Sequence, residues 1–281
     1  MLYGLTIFAT EYTLGPAEVA RAAEERGFES LWLPEHTHMP ASLRTPWPGG
    51  SVMPREYSHT HDPFVALTWA AAATRTLKVG TSICLVVQRD PIITAKQVAS
   101  LDQLSGGRFL FGIGAGWNVE EVENHGTPFR RRFAVLRERV LAMRALWTEE
   151  EAEFHGRYVD FDKVWLHPKP AQKPHPPVLM GGDGATTFDR VIEFCDGWLP
   201  IARGRPPPGI REKTVELRRR AEAAGRDPAS ISVSVYTCPA AREVVDELER
   251  AGVDRVIFLL PSSAEPAEVL RVMDDHARLI R

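Results

Sequence analysis

Short apolar segments alternate with amphipathic helical segments eight times along this chain of 281 residues. Apolar runs bounded by glycine, proline and polar loops are typical of buried strands, and the segments between them carry the 3.6-residue period of helices. This repeat predicts a TIM (β/α)8 barrel formed by a single domain over residues 1–281, with a doubly wound open sheet as the alternative. The predicted strands are residues 3–9, 30–36, 78–86, 108–116, 177–182, 197–202, 231–237 and 255–261.

Two longer segments interrupt the repeat. Residues 38–60 follow the second predicted strand and are rich in proline and glycine. Residues 150–177 precede the fifth predicted strand and contain a possible hairpin followed by a proline-rich return. Long loops in a compact domain usually contribute to binding or catalysis, so both insertions are expected near the active-site mouth.

Glu35 and His36 end the second predicted strand. In a barrel, functional groups collect at the carboxyl ends of the strands. Histidine has an intrinsic pKa of about 6.5, which suits it to donate or accept a proton at neutral pH. We therefore predict that His36 and Glu35 are catalytic.

Two glycine-rich segments follow later strands. Gly112, Gly114 and Gly116 form G-x-G-x-G, and Trp117 stands where a dinucleotide-binding turn needs its third glycine, so a Rossmann site is disfavoured. The segment "MGGDG" follows the fifth predicted strand and leads into a helix N-terminus. Its free backbone N–H groups and the helix dipole predict an anion site at Gly181 and Gly182.

The two H-x-H pairs, in "EHTHMP" and "SHTHDP", raise a second possibility, a metal-dependent barrel hydrolase. Such a site also needs ligands at the ends of later strands, and only Asp183 is available there. We therefore predict no metal site.

Charge and cysteine content narrow the class of protein further. A net charge of −3 gives no basic surplus for nucleic acid. The three cysteines are far apart and odd in number, which disfavours a disulfide framework or a metal knuckle. With no apolar run long enough for a membrane span and no signal-peptide pattern at the N-terminus, we expect a cytoplasmic protein without nucleic-acid or membrane partners.

The chain resembles the luciferase-like monooxygenase superfamily, in particular its members that depend on the deazaflavin coenzyme F420. The resemblance covers nearly the whole chain, and its most specific parts are "LWLPEH", "LDQLSGGRFLFGIGAGWNVEE", "HPKPAQKPHPPVLMGG" and "DGWLPI". It implies a TIM-like barrel that binds a flavin or deazaflavin at its carboxyl-end mouth and performs hydride or oxygen chemistry on a small organic substrate. It also implies a homodimer.

The same resemblance implies a set of cofactor-binding residues, with "GIGAGW" as a shelf for the ring and "MGGDG" as the phosphate site. It further implies a cis peptide between Ser82 and Ile83. Some deazaflavin dehydrogenases of the superfamily have a catalytic glutamate where this chain has Trp117, so dehydrogenation of a sugar phosphate is doubtful. The implied cofactor-binding residues are Thr81, Ser82, Ile83, Gly114, Ala115, Gly116, Trp117, Asn118, Gly181 and Gly182.

F420 is favoured over FMN as the cofactor because of the resemblance. F420 adds a tail with several carboxylates, and arginine suits carboxylates because its planar fork donates two parallel hydrogen bonds. Candidate arginines for the tail are Arg44, Arg55, Arg203 and Arg205. Besides the metal-dependent hydrolase, a cofactor-binding protein without turnover remains an alternative.

Overall fold

The predicted barrel is confirmed by the computed structural model, which describes residues 1–42 and 44–280. Parallel strands close in the order β1-β2-β3-β4-β7-β8-β9-β10, and β10 pairs with β1. The barrel strands, numbered along the chain, are β1 (Leu2–Thr6), β2 (Ser30–Leu33), β3 (Lys78–Leu85), β4 (Phe109–Gly114), β7 (Val178–Gly181), β8 (Gly197–Leu199), β9 (Ser232–Cys238) and β10 (Arg255–Leu259). Each of the eight predicted strands therefore overlaps a barrel strand.

Helices connect the strands, and the first two begin at residue types that suit a helix start. Pro16 and Pro63 start the first two helices, where a missing N–H costs nothing, and Asp62 accepts hydrogen bonds from the N–H groups of Phe64 and Val65. The helices are α1 (Pro16–Glu25), α2 (Pro63–Ala72), α3 (Pro91–Ser105), α4 (Val119–Asn124), α5 (Arg132–Thr148), α6 (Thr187–Phe194), α7 (Ile210–Ala223), α8 (Arg242–Arg250) and α9 (Pro266–Ala277). Within the described ranges, none of these helices has the length and apolar content needed to cross a membrane.

The side chain of Trp32 packs with four aliphatic residues in a cluster separate from the main core. Its indole is fully buried and donates a hydrogen bond to Ser30 at 2.8 Å. A Cβ atom on Gly80 would lie 2.6 Å from the indole ring, so the glycine on the neighbouring strand leaves the space that the ring occupies. The much larger second core lies between the strands and the surrounding helices.

The two insertions lie at opposite ends of the barrel. Residues 38–60 lie at the carboxyl end, where Arg203 donates a hydrogen bond to the Pro48 carbonyl. Residues 150–177 contain the expected hairpin, formed by β5 (Ala152–His155) and β6 (Asp160–Val164). The expectation that this second insertion borders the active-site mouth is wrong. Gln172 donates hydrogen bonds to Asp102 and to the carbonyl of Phe109, the first residue of β4, which places the segment at the amino end.

Candidate active site

A cavity of about 280 Å³ lies at the carboxyl ends of the barrel strands. It brings together segments that follow β2, β3, β4 and β7, as expected from the rule that functional groups collect at this end of a barrel. The predicted site residues that line it are Glu35, His36, Ser82, Ile83, Gly114, Ala115, Gly116, Trp117, Gly181 and Gly182. The roles predicted for these residues stay predictions.

His36 forms a buried pair with Glu121. His36 Nδ1 lies 3.0 and 3.1 Å from the two carboxylate oxygens of Glu121, whose side chain is completely buried. Because a carboxylate only accepts hydrogen bonds, Nδ1 carries the proton that it donates. Nε2 makes no hydrogen bond to the described part of the chain, so this nitrogen is available to a ligand in the cavity.

Both carboxylate oxygens of Glu35 accept hydrogen bonds. It accepts hydrogen bonds from the backbone N–H of Leu85 at 2.5 Å and from Arg89 Nε at 2.6 Å. Burial opposes the charge of Arg89, but the Glu35 carboxylate outweighs this and raises the pKa of the guanidinium. This arrangement fixes the end of β3 against the end of β2, and the catalytic role predicted for Glu35 stays a prediction.

The cis peptide expected between Ser82 and Ile83 is present. Two glycines predicted to bind the cofactor, one in the ring shelf and one in the phosphate site, flank the Ile83 side chain: a Cβ on Gly114 would lie 1.9 Å from Ile83 Cδ1, and one on Gly181 would lie 2.9 Å from Ile83 Cγ2. These glycines therefore make room for Ile83 itself, which in turn lines the cavity.

Thr81 and Asn118, both predicted to bind the cofactor, do not line the cavity. The Thr81 hydroxyl is fully buried and donates to the carbonyl of Gly112 at 2.7 Å. The Asn118 side chain is also fully buried and caps α4 by accepting a hydrogen bond from the N–H of Glu121. Both side chains thus hold the backbone beneath the site, and Asn118 fixes the helical turn that carries Glu121.

An aromatic wall, which we define as Phe8, His36, Tyr57 and Trp117, closes one side of the cavity. The ring of Tyr57 lies 4.8 Å from that of Phe8 and 5.1 Å from that of His36, and the Trp117 ring meets both His36 and Tyr57 edge-on. Burial raises the pKa of Tyr57. Phe8 and Tyr57 were missed in the sequence because neither follows a strand-end motif. Tyr57 comes from the insertion 38–60, whose position was predicted.

The insertion is fastened to Glu120 on α4. The Glu120 carboxylate accepts hydrogen bonds from Ser42, from Arg44 Nε at 3.3 Å, and from both the backbone N–H and the hydroxyl of Thr45. The Thr45 hydroxyl, together with backbone N–H groups, lowers the pKa of Glu120 to about 2 against the effect of burial. We call this set of contacts the Glu120 latch.

Two arginines beside Phe133 lack a carboxylate partner within residues 1–42 and 44–280. Arg132 and Arg190 each place the guanidinium carbon over the ring of Phe133, at 4.5 and 3.8 Å, and Phe133 lines the cavity. Arg132 Nε is buried without a hydrogen-bond partner. Burial lowers the pKa of both side chains, and the charge of Arg132 lowers that of Arg190 further. Two unpaired like charges at this place favour an anionic ligand group.

The four arginines proposed for an F420 tail have other surroundings. Arg44 belongs to the Glu120 latch, Arg55 stacks on the ring of Tyr12 at 4.6 Å, and Arg203 binds the Pro48 carbonyl. Arg205 lines a separate cleft at the start of α7. None of the four lines the cavity itself.

The H-x-H pairs are divided among separate partners. His36 meets Glu121, whereas His38 meets Thr37, and His59 meets Glu11 at 2.6 Å. The part of the chain that the structure describes contains no group of three or more His, Cys, Asp or Glu side chains arranged to hold a metal ion.

The model of the luciferase-like monooxygenase family matches residues 16–272. An uncharacterized protein of Mycobacterium tuberculosis is 40% identical over 277 residues, which cover 95% of each chain. An F420-dependent glucose-6-phosphate dehydrogenase of Kineococcus radiotolerans is 33% identical over 78% of this chain and 61% of its own length. An FMNH(2)-dependent dimethylsulfone monooxygenase of Pseudomonas putida is 31% identical over 63% of this chain and 48% of its own length.

A solved structure supports the fold independently. The monooxygenase RslO1 from Streptomyces bottropensis superimposes with a TM-score of 0.81 at 22% identity, over 100% of this chain and 98% of that chain. The likeness concerns the barrel as a whole.

Proposed function

We propose that this chain, which belongs to the luciferase-like monooxygenase family, is an oxidoreductase that binds reduced F420, or alternatively reduced FMN, in its carboxyl-end cavity. It would transfer hydride to a small organic substrate or oxygenate it. The observation that carries the proposal is the pair of His36 and Glu121, which places one available imidazole nitrogen on the wall of a largely apolar cavity.

The residues around the cavity fit a flat ring with a phosphate-bearing side chain. Ile83, Leu85 and Leu199 supply apolar surface for a ring. Arg132, with its buried and unpartnered Nε, and Arg190 lie beside Phe133 and supply positive charge for a phosphate. A phosphate is common to F420 and FMN, so this feature favours the cofactor class and leaves the choice between the two open.

The chain's own residues would transfer the proton and keep water away from the reacting atoms. When bound, a reduced flavin or deazaflavin supplies the hydride or activates oxygen. Glu121 holds the imidazole of His36 in one tautomer and orientation, so that Nε2 can give a proton to a substrate oxygen or accept one from it. Tyr57 and Trp117 help to exclude water from this position.

Equilibrium titration of the cofactor-free protein with F420 and with FMN, each in both redox states, tests the proposal. We expect F420 to bind, and binding of FMN at least about tenfold tighter than that of F420 would overturn the preference for the deazaflavin. Failure of both cofactors to bind would overturn the proposed function. Tight binding without turnover over a broad substrate panel would instead favour a cofactor-binding protein.

We also propose that the protein forms a homodimer through α2 and α3. Val65 and Trp69, one turn apart on α2, are 71% and 62% exposed, and Ile93 and Leu104 on α3 are 61% and 76% exposed. The two helices pack side by side, so a second copy could bury both apolar stripes at once. Sedimentation equilibrium should show a dimer that Trp69→Glu dissociates, whereas Trp165→Glu, at an exposed tryptophan elsewhere, should leave it intact. A monomeric wild-type protein would refute this.

A further inference from the structure

The described residues of the aromatic wall and the cavity offer few charged groups that could pair with a charged substrate. Glu35 is the one carboxylate that lines the described cavity, and Arg89 neutralises it in a contact that leaves both side chains largely buried. No lysine or arginine is among the described residues that line the cavity. Arg132 and Arg190, which lack a carboxylate partner among the described residues, contact the ring of Phe133 and do not themselves line the cavity.

An anionic substrate would therefore lose its hydration without gaining a counter-charge. Moving an unpaired charge into an apolar site is costly, and sites that select polar substrates do so with matching buried polar groups. Among the described side chains that line the cavity, the polar groups other than the Glu35 carboxylate are few: the His36 imidazole and the hydroxyl groups of Ser82, Tyr57 and Tyr236. A sugar, with a hydroxyl on nearly every carbon, would leave most of its groups unpaired.

The wall instead matches a flat ring. Trp117 and Tyr57 meet edge-on with their centroids 6.5 Å apart, and Tyr57 is backed by Trp47 at 5.7 Å, so the wall has little freedom to rearrange. Aromatic pairs favour offset-stacked and edge-to-face contacts, which add specificity beyond the apolar area that they bury. Because the cofactor ring shares this cavity of about 280 Å³, the space that it leaves for a substrate favours a compact ring system over a long chain.

We propose that the substrate is an uncharged, compact aromatic molecule with one hydroxyl or carbonyl oxygen, held against Tyr57 and Trp117 with that oxygen at His36 Nε2. A hydroxyl would donate to the neutral imidazole, and a carbonyl would accept from the protonated one. The inference rests on the proposed function, because it assigns the remaining side of the cavity to the cofactor ring.

A matched pair of probes tests the charge and the ring together. The protein, both cofactor-free and saturated with whichever of oxidised F420 or FMN binds, is titrated with 2-naphthol and with naphthalene-2-sulfonate, which share one ring system and differ in charge. We expect the cofactor-loaded protein to bind 2-naphthol at least about tenfold more tightly than it binds naphthalene-2-sulfonate. Equal affinities, or tighter binding of the sulfonate, would overturn the inference. So would tight binding of glucose 6-phosphate.

Variants locate the probe and separate the two hypotheses. Tyr57→Ala and Trp117→Ala should each weaken 2-naphthol binding about tenfold, whereas Tyr57→Phe, which keeps the ring, and Trp165→Ala, at an exposed position, should not. Unchanged binding in both alanine variants refutes the assignment of the wall. If neither cofactor binds at all, the proposed function fails, whatever the probes show. If a cofactor binds and the probes do not discriminate, only the present inference fails.

Discussion

His36 and Glu121, separated by 85 positions in the sequence, meet at the carboxyl end of the barrel with Nδ1 3.0 Å from one carboxylate oxygen. The contact joins the residue that follows β2 to the first turns of α4 after β4. It gives a group that can transfer a proton a defined orientation in the cavity, and the first prediction concerns it.

Replacing His36 by alanine should lower turnover by about a hundredfold or more, the range that general acid–base catalysis supplies, while cofactor affinity changes much less. Glu121→Gln keeps an acceptor for Nδ1 but removes the charge, and should lower kcat about tenfold with little change in KM. Steady-state kinetics and cofactor titration measure both effects. Glu123→Gln, at an exposed position on the same helix, is the control. Full activity of the His36 variant would refute its catalytic role.

The barrel could be predicted because its strands are buried on both faces and therefore appear as short apolar runs. β4 is buried at all of its positions, from Phe109 to Gly114. The side of the barrel on which residues 150–177 lie was predicted wrongly because loop length was given more weight than chain order. A segment between a helix and the next strand lies at the amino end, and the contact of Gln172 with Phe109 shows this.

The candidate site could be predicted only in part, since strand ends show which backbone segments meet but not how their side chains pair. Glu121 was not selected, although its position just after β4 makes it a neighbour of residues that follow β2. The engagement of Glu35 depends on Arg89, which lies beyond the end of β3. Gly114 and Gly181 line the cavity and leave room for Ile83, a packing that the sequence did not reveal, and their contact with a cofactor stays a prediction.

The second prediction follows from that packing. Gly114→Ala should destabilise the protein by about 1–3 kcal/mol, the usual cost of overpacking, because the new methyl would overlap Ile83 Cδ1. Adding Ile83→Val removes Cδ1 and should restore much of the loss. The same change should not rescue Gly181→Ala, whose methyl would meet Ile83 Cγ2, an atom that valine keeps. Urea unfolding of the single and double variants measures these couplings. Equal rescue at both glycines would contradict this assignment.

The third prediction concerns acid stability at the other end of the barrel. Glu29 is held by two hydrogen bonds of 2.9 Å from Arg255, the first residue of β10. Burial opposes its ionisation, but Arg255 outweighs this and lowers the pKa of Glu29 to about 2. A depressed folded-state pKa adds stability that is present above the ordinary value of 4.5 and is lost as the pH falls towards 2.

Glu29→Gln should therefore lower the free energy of unfolding at pH 7 by about 2–3 kcal/mol, and the difference from wild type should shrink between pH 4.5 and 2. Urea midpoints over this pH range measure it. Glu216→Gln, which removes a surface ion pair on α7, should have little effect. A constant difference between Glu29→Gln and wild type down to pH 2 would contradict the linkage.

The fourth prediction concerns the phosphate end of the cofactor. Arg132→Gln and Arg190→Gln should each weaken binding of FMN about tenfold and leave binding of riboflavin, which lacks the phosphate, nearly unchanged. Arg130→Gln, at an exposed position next to Arg132, is the control. Fluorescence titration at fixed ionic strength measures the affinities. If the substitutions weaken the binding of FMN and of riboflavin equally, the arginines act on the shape of the cavity through Phe133 and not on the phosphate.

The last prediction concerns the Glu120 latch. Because the pKa of Glu120 is lowered to about 2 by the Thr45 hydroxyl and by N–H donors, the carboxylate stays charged at any physiological pH, and the latch should hold Ser42, Arg44 and Thr45 in place throughout that range. Glu120→Ala removes every acceptor, and Glu120→Gln keeps an oxygen but loses the charge, so the first should loosen the segment more than the second.

The readout is amide hydrogen exchange at Thr45, whose N–H donates to Glu120, and at Val119, whose N–H donates to the Thr45 hydroxyl. Exchange at both amides should accelerate in Glu120→Ala, and bound cofactor should dissociate about tenfold faster, since the same insertion carries Tyr57 into the cavity wall. Glu123→Gln on the exposed side of α4 should change neither rate. If amide exchange is faster but the cofactor does not dissociate faster, the latch is confirmed but the insertion does not retain the cofactor. Unchanged amide exchange would refute the latch itself.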